Sequence, residues 1–191
     1  MKKIFSKFAN KKDGYTLVEM LVAISIFTTS VLGVLVILAG GIADTGYAKQ
    51  KMGAAYLAQE GVEYVRNMRD TFMIYSADPN QGWNDFKAYL SNCESPDGCF
   101  FDPDDLDFNN LDKPITQISI YACGGNCQEI KYDSASGVYG YTVGENSGFI
   151  RKIEMDQISA NEVKIISTVF WTQGSGDYNV SFSDNFFNWI E

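Results

Sequence analysis

Gly14-Tyr15-Thr16-Leu17-Val18-Glu19-Met20-Leu21-Val22-Ala23-Ile24 is the stretch on which the fold turns. It opens an apolar run that reaches Ala43, and from Met20 onward that run holds no ionisable side chain. A charged residue at the centre of a membrane helix costs roughly 3 kcal/mol, so Glu19 reads as a carboxylate waiting for a cation that this segment does not supply. Upstream lie Lys2, Lys3, Lys7, Lys11 and Lys12, with Asp13 as the only acid. Such a cluster stays cytoplasmic and directs the remainder of the chain outward. A secretory signal has an apolar core of about 7–15 residues followed by a small-residue cleavage site. The stretch from Tyr15 to Ala43 is about twice that length and, at ~1.5 Å per residue, spans roughly 40 Å as a helix, enough to cross a bilayer with some tilt. No cysteine sits near its start to carry a lipid. The natural cut therefore falls on the cytoplasmic side, after Gly14, and leaves the helix on the mature chain.

Basic leader, Gly14, aromatic Tyr15, Thr16-Leu17-Val18-Glu19 and an apolar helix together resemble the N-terminus of a type IV prepilin or pseudopilin. The resemblance implies a prepilin peptidase/methyltransferase that cleaves between Gly14 and Tyr15 and methylates the new amino group of Tyr15. It also implies that Glu19 is an assembly contact, facing the N-terminal amine of a neighbouring pilin subunit. That amine is the missing cation. The commonest first mature residue in the family is phenylalanine; Tyr15 departs from it but keeps the aromatic ring. The motif covers about 30 residues, and the remainder of such chains varies widely.

Composition points the same way. The full chain has 15 basic and 24 acidic residues. Loss of residues 1–14 removes five lysines and one aspartate and leaves 10 against 23, a net charge of −13. So acidic a body repels phosphate backbones, and no nucleic-acid partner is expected. Histidine, the usual general base and commonest metal ligand near neutral pH, is absent. Ser-His-Asp, Cys-His and His-zinc chemistry are excluded with it. No enzyme activity and no cofactor are expected.

Beyond the membrane run the helix continues. Ala54, Ala58, Gly61, Val62, Val65, Met68 and Phe72 recur at three- and four-residue steps, the spacing of one helical face. Lys49, Lys51, Glu60, Glu63, Arg66 and Arg69 fall mostly off that stripe. Glu63 and Arg66 stand three apart and are placed to pair, for a few tenths of a kcal/mol. Gly33, Gly40, Gly41 and Gly46 each weaken a helix by up to about 1 kcal/mol relative to alanine. Filament helices in the resembled family often melt locally, and these glycines are candidates for that; ordinary membrane-helix glycines are the equal alternative.

From Met73 the composition shifts. Asn80-Gln81-Gly82, Ser95-Pro96-Asp97-Gly98 and Asp102-Pro103-Asp104-Asp105 are turn signals. Trp83, Phe86, Tyr89 and Leu90 mark a short helix packed under the domain. Strands are expected over Ile115–Ala122, Gly140–Val143, Phe149–Met155 and Glu162–Gln173, with Val163, Ile165, Ser167, Val169 and Trp171 on one face of the last. Val180, Phe182 and Phe186 to Ile190 close an antiparallel meander, with Gly174-Ser175-Gly176-Asp177 as a hairpin turn. The plan is α+β: one long N-terminal helix against one antiparallel sheet. On this reading the chain divides into a leader (1–14), a transmembrane helix (15–43), its amphipathic continuation (44–72) and an exported β-rich domain (73–191). Tyr139-Gly140-Tyr141, Phe149-Ile150-Arg151-Lys152-Ile153, Val169-Phe170-Trp171 and Asn188-Trp189 also look like minor pilins of bacterial type IV systems.

Four cysteines lie in two local pairs, Cys93 with Cys99 and Cys123 with Cys127. In an outward-facing domain two disulfides are expected. Three connectivities are open; the tight Cys123-Gly-Gly-Asn-Cys127 turn favours local pairing. A four-cysteine zinc site is the rival, but structural zinc pairs are usually spaced by about two to four residues. The acids Asp102, Asp104, Asp105, Asp107 and Asp112 invite calcium, yet an EF-hand loop from Asp102 needs glycine and glutamate where Asp107 and Lys113 stand. A solvated loop is the default. Tyr139, Tyr141, Trp171 and Trp189 are read as core or edge packing in preference to a sugar platform.

The function expected is a structural subunit, a minor pilin or pseudopilin. Before assembly it sits in membrane lipid at the cytoplasmic membrane, a single-pass chain with its domain outside; after assembly it stands in a cell-surface filament. The alternative is a membrane-tethered binding module, an adhesin or DNA-uptake tip subunit. The latter needs a basic patch near Arg151 and Lys152 to overcome the acidic body.

Overall fold

The computed structural model describes residues 14–102 and 118–189. The chain divides into two compact units at Gly46 and Tyr47. Helix α1 (Leu17–Tyr75) runs without a break through Gly33, Gly40, Gly41 and Gly46 and past Phe72 to Tyr75. The locally melted stretch considered for those glycines is absent from this single chain, because α-helical hydrogen bonding persists through them at the modest cost glycine imposes.

In the first unit, the apolar side chains from Leu17 to Ile42 are exposed along the whole length. Ser25, Thr28, Thr29 and Ser30 turn their hydroxyls back onto carbonyls of the preceding turn, at 2.7–3.0 Å. This back-bonding leaves the helix surface free of unsatisfied hydroxyl donors, as an apolar solvent requires. It is one helix long and apolar enough to cross a membrane.

In the second unit, the remainder of α1 buries Ala54, Leu57, Ala58, Gly61, Val62, Val65, Met68 and Met73 against the sheet. Phe72, expected on that stripe, is only half-buried at its edge. Helix α2 (Pro79–Tyr89) starts where Asp78 accepts a hydrogen bond from the Asn80 amide, with Pro79 at its first position. It buries Trp83 and Phe86, and the Trp83 indole N–H donates to the carbonyl of Ala160 at 2.8 Å.

Among the described residues the sheet has seven antiparallel-paired strands: β1 (Cys99–Phe100), β2 (Tyr121–Ala122), β3 (Glu129–Asp133), β4 (Val138–Gly140), β5 (Glu145–Ser159), β6 (Glu162–Gln173) and β7 (Gly176–Phe187). Strands β5, β6 and β7 form the meander that the hydrophobic alternation predicts, with Glu162–Gln173 a strand at those bounds. The β6–β7 turn is Gly174-Ser175, and Gly174 takes φ +61°, a conformation that other side chains rarely tolerate. The far side of β5 is divided between β3, paired near Phe149 and Ile150, and β1, paired at Ile153.

Several expectations shift. The strand expected over Gly140–Val143 lies earlier, at Val138–Gly140, because β3 pairs Lys131 with Gly140 and the chain then turns away. Of Ile115–Ala122 only Tyr121–Ala122 is a strand, and residues 115–117 are outside the described region. β7 stops at Phe187, and Ile190 is likewise outside it. Asn188 instead ties the chain end to Asn161 and Asn80 by side-chain hydrogen bonds.

Two apolar clusters fill the unit. One gathers Val65, Met68, Trp83, Phe86, Phe101, Ile153, Ile165 and Phe186; the other Ala54, Leu57, Ile130, Phe149, Val169 and Trp171. Gly61 lies over the sheet between them. A Cβ built there would stand 2.5 Å from Ser167 Oγ and 3.1 Å from Arg151 Cδ. Only hydrogen fits.

Candidate functional site: the N-terminal junction

Gly14, Tyr15 and Thr16 are exposed and carry no regular secondary structure, and α1 begins at Leu17. The side chain of Glu19 folds back over this first turn. Its Oε2 accepts from the Thr16 backbone N–H at 3.0 Å and from the Thr16 hydroxyl at 3.2 Å. The Glu19 N–H in turn donates to Thr16 Oγ1 at 3.3 Å. This is a capping box: the T-x-x-E spacing satisfies two amides that a helix start otherwise leaves open. Negative charge at a helix N-terminus also opposes the helix dipole favourably. Glu19 thus has donors within its own segment, and among the described residues no cation pairs with it. The T-x-x-E spacing of Thr16-Leu17-Val18-Glu19 is the sequence signal for this box, beyond the charge of Glu19 alone.

Tyr15 is 82% exposed, and Gly14 has nothing within 4 Å of where a side chain would stand. The basic residues Lys2 to Lys12 fall outside the described residues, as do Asp104, Asp105, Asp107, Asp112 and Lys113 of the acidic loop. Asp102 is described: it is buried, and its carboxylate accepts from the Tyr141 amide at 3.2 Å. Among the described residues no three His, Cys, Asp or Glu side chains converge on a metal position.

Cys93 is bridged to Cys99 and Cys123 to Cys127, so no thiolates remain for a four-cysteine zinc site. The first bridge is fully buried in the core; the second closes an exposed turn in which Gly124 and Gly125 both take positive φ.

The basic patch considered at Arg151 and Lys152 does not form. Arg151 is 2% exposed and pinned between helix and sheet, donating to Glu60 Oε2 at 2.9 Å and to the Leu57 carbonyl at 3.3 Å. Lys152 pairs with Glu154 at 3.1 Å. Tyr141 lies beside Arg151; burial pushes its pKa above the ordinary tyrosine value, and the charge and hydrogen bonding of Arg151 oppose that rise. Tyr141 and Trp171 are core residues and Tyr139 is half-buried, whereas Trp189 is exposed, against expectation. It lies beyond the end of β7.

Residues 9–35 match the family model described as the prokaryotic N-terminal methylation motif. The chain carries the type IV prepilin signature. Gly14, Tyr15, Thr16 and Glu19 all fall inside it, and the prepilin signature ends at Leu35, within the apolar half of α1. No curated protein and no solved structure matches the chain. The prepilin signature thus characterises the junction and the start of the apolar helix, while the sheet rests on its own residues.

Proposed function

We propose that the chain is a structural subunit, a minor pilin or pseudopilin, of a type IV pilus or a related secretion or uptake filament. Prepilin peptidase cuts after Gly14, the amine of Tyr15 is methylated, and the mature subunit assembles through α1. The observation that carries this reading is the methylation motif at residues 9–35, set on a helix whose apolar surface is bare for its whole first unit. Glu19 stands at the start of that surface and meets the N-terminal amine of a neighbouring subunit; apolar packing does most of the holding. Since buried ion pairs are weak sources of net stability, Glu19 acts on partner choice and order of assembly.

The test is mass spectrometry of the N-terminal peptide from membrane and surface-sheared fractions of the native host. A peptide beginning at methylated Tyr15 in sheared material is expected. A peptide that still carries Met1 or Lys2 in every fraction would overturn the reading.

A further inference from the structure

Three tryptophans have three different environments. Trp83 and Trp171 are buried, whereas Trp189 is 56% exposed. It is not loose: its ring stacks on Phe187 with centroids 4.7 Å apart and planes inclined by 20°. A stacked indole has one face covered and its orientation set, which leaves a flat apolar platform toward solvent. That platform borders a cleft of about 410 Å³, lined by Arg69, Asp70, Ile74, Asn185 and Phe187 as well as Trp189. The volume is in the range of small-molecule sites, roughly 300–1,000 Å³.

The polar groups at the rim define the ligand. Arg69 Nε donates to Asp70 Oδ1 at 2.8 Å, so the two charges neutralise each other locally. The Asp70 carboxylate still has lone pairs to accept hydroxyl donors, and the Arg69 fork still has N–H groups to give. Asn185 presents an amide whose N–H donates to Glu162 at 2.8 Å, which leaves its carbonyl oxygen as a further acceptor. A site with an aromatic plate, paired donors and acceptors, and no net charge suits a ligand with one apolar face and a rim of hydroxyls. Acidic ligands are disfavoured by a mature chain with a net charge of −13.

We propose that the Trp189 cleft binds a neutral saccharide. One pyranose ring lies on the open indole face with its hydroxyls reaching Asp70, Arg69 and Asn185. The proposal does not depend on filament assembly, since every group lies on one subunit.

Isothermal titration calorimetry on the full chain tests it, in micelles of a detergent without a sugar headgroup. The probes are maltotriose, cellotriose, mannotriose, chitotriose and a galactose trisaccharide, with polygalacturonate oligomers as acidic controls. Saturable heat is expected with at least one neutral probe. Trp189→Ala should weaken that binding at least tenfold and Asp70→Asn several-fold. Tyr75→Ala, an exposed aromatic outside the cleft lining, should leave it unchanged. Circular dichroism of each variant establishes that the fold is kept. Absence of saturable heat with every neutral probe, equal affinity in Trp189→Ala, or preference for the acidic oligomers would each overturn the proposal.

Discussion

Thr16 and Glu19 hold each other across the first turn of α1 before any neighbour is present. Thr16→Ala removes the hydroxyl from this box and should cost about 1 kcal/mol of local helix stability. Faster amide hydrogen exchange at residues 17–20 in micelles would register it, and unchanged exchange would mean the box contributes nothing. Glu19→Ala tests the proposed intersubunit contact. A lost charge-assisted hydrogen bond is worth roughly 1.5–3 kcal/mol, about tenfold or more in incorporation into filaments. The variant should reach the membrane normally and be depleted from sheared filaments; normal incorporation would defeat the pairing. Tyr141 supplies a pH-dependent term. Its folded pKa is raised by burial, so its contribution is full below about pH 10 and is lost as pH climbs through the folded value. Tyr141→Phe should therefore flatten the alkaline decline of stability, read by denaturant titration between pH 9 and 12. Tyr139 is shifted in the same direction, also by burial, so some decline should persist.

Element packing depends on Gly61. Gly61→Ala places a methyl 2.5 Å from Ser167 Oγ, and overpacking of this kind costs typically about 1–3 kcal/mol. Thermal melts should show the loss, and Ser167→Ala in the same chain should recover part of it, a non-additivity expected of residues in contact. An additive double mutant would show that the helix relieves the clash by moving elsewhere. The two disulfides should differ. Replacing Cys93 and Cys99 by alanine opens the core beside Ile153 and Met155, whereas Cys123 and Cys127 stand outside both apolar clusters and close a turn whose Gly124, Gly125 and Asn126 are exposed. The first pair should lower the melting temperature by several degrees more than the second. Long elements were legible in the sequence for a physical reason: α1, β5 and β6 bury residues at a sustained period, as Val163 to Trp171 do on β6. β1 and β2 have two residues each and β3 buries only Ile130, so no period exists to read. The junction was legible as chemistry in Glu19, but its partner Thr16 was visible only as a spacing. The role of Arg151 was hidden, because a charged residue within an alternating strand reads as solvent-facing until its partner Glu60, ninety-one positions away, is known.

At the scale of the whole molecule, both apolar clusters draw only on residues from Tyr47 onward. A chain of residues 47–191 should therefore be soluble and monodisperse without detergent, with the near-UV circular dichroism of the full chain. Aggregation or a flattened near-UV spectrum would show that the anchor contributes to the core. The intact chain should require micelles, since its first unit exposes apolar side chains from Leu17 to Ile42.

The Arg151 guanidinium reaches from the sheet to two points on one turn of α1, the Leu57 carbonyl and Glu60. Mechanically it is a shear pin. Tension applied along the helix would have to slide that turn past Arg151, breaking both hydrogen bonds and stranding a buried cation, while Gly61 keeps the two surfaces too close for water to take over. Arg151 thus adds a polar stop to the slip that the apolar clusters and the Arg66–Asp184 pair, at 2.6 Å, also oppose, and an optical-tweezers pull on an Arg151→Met chain would yield at lower force.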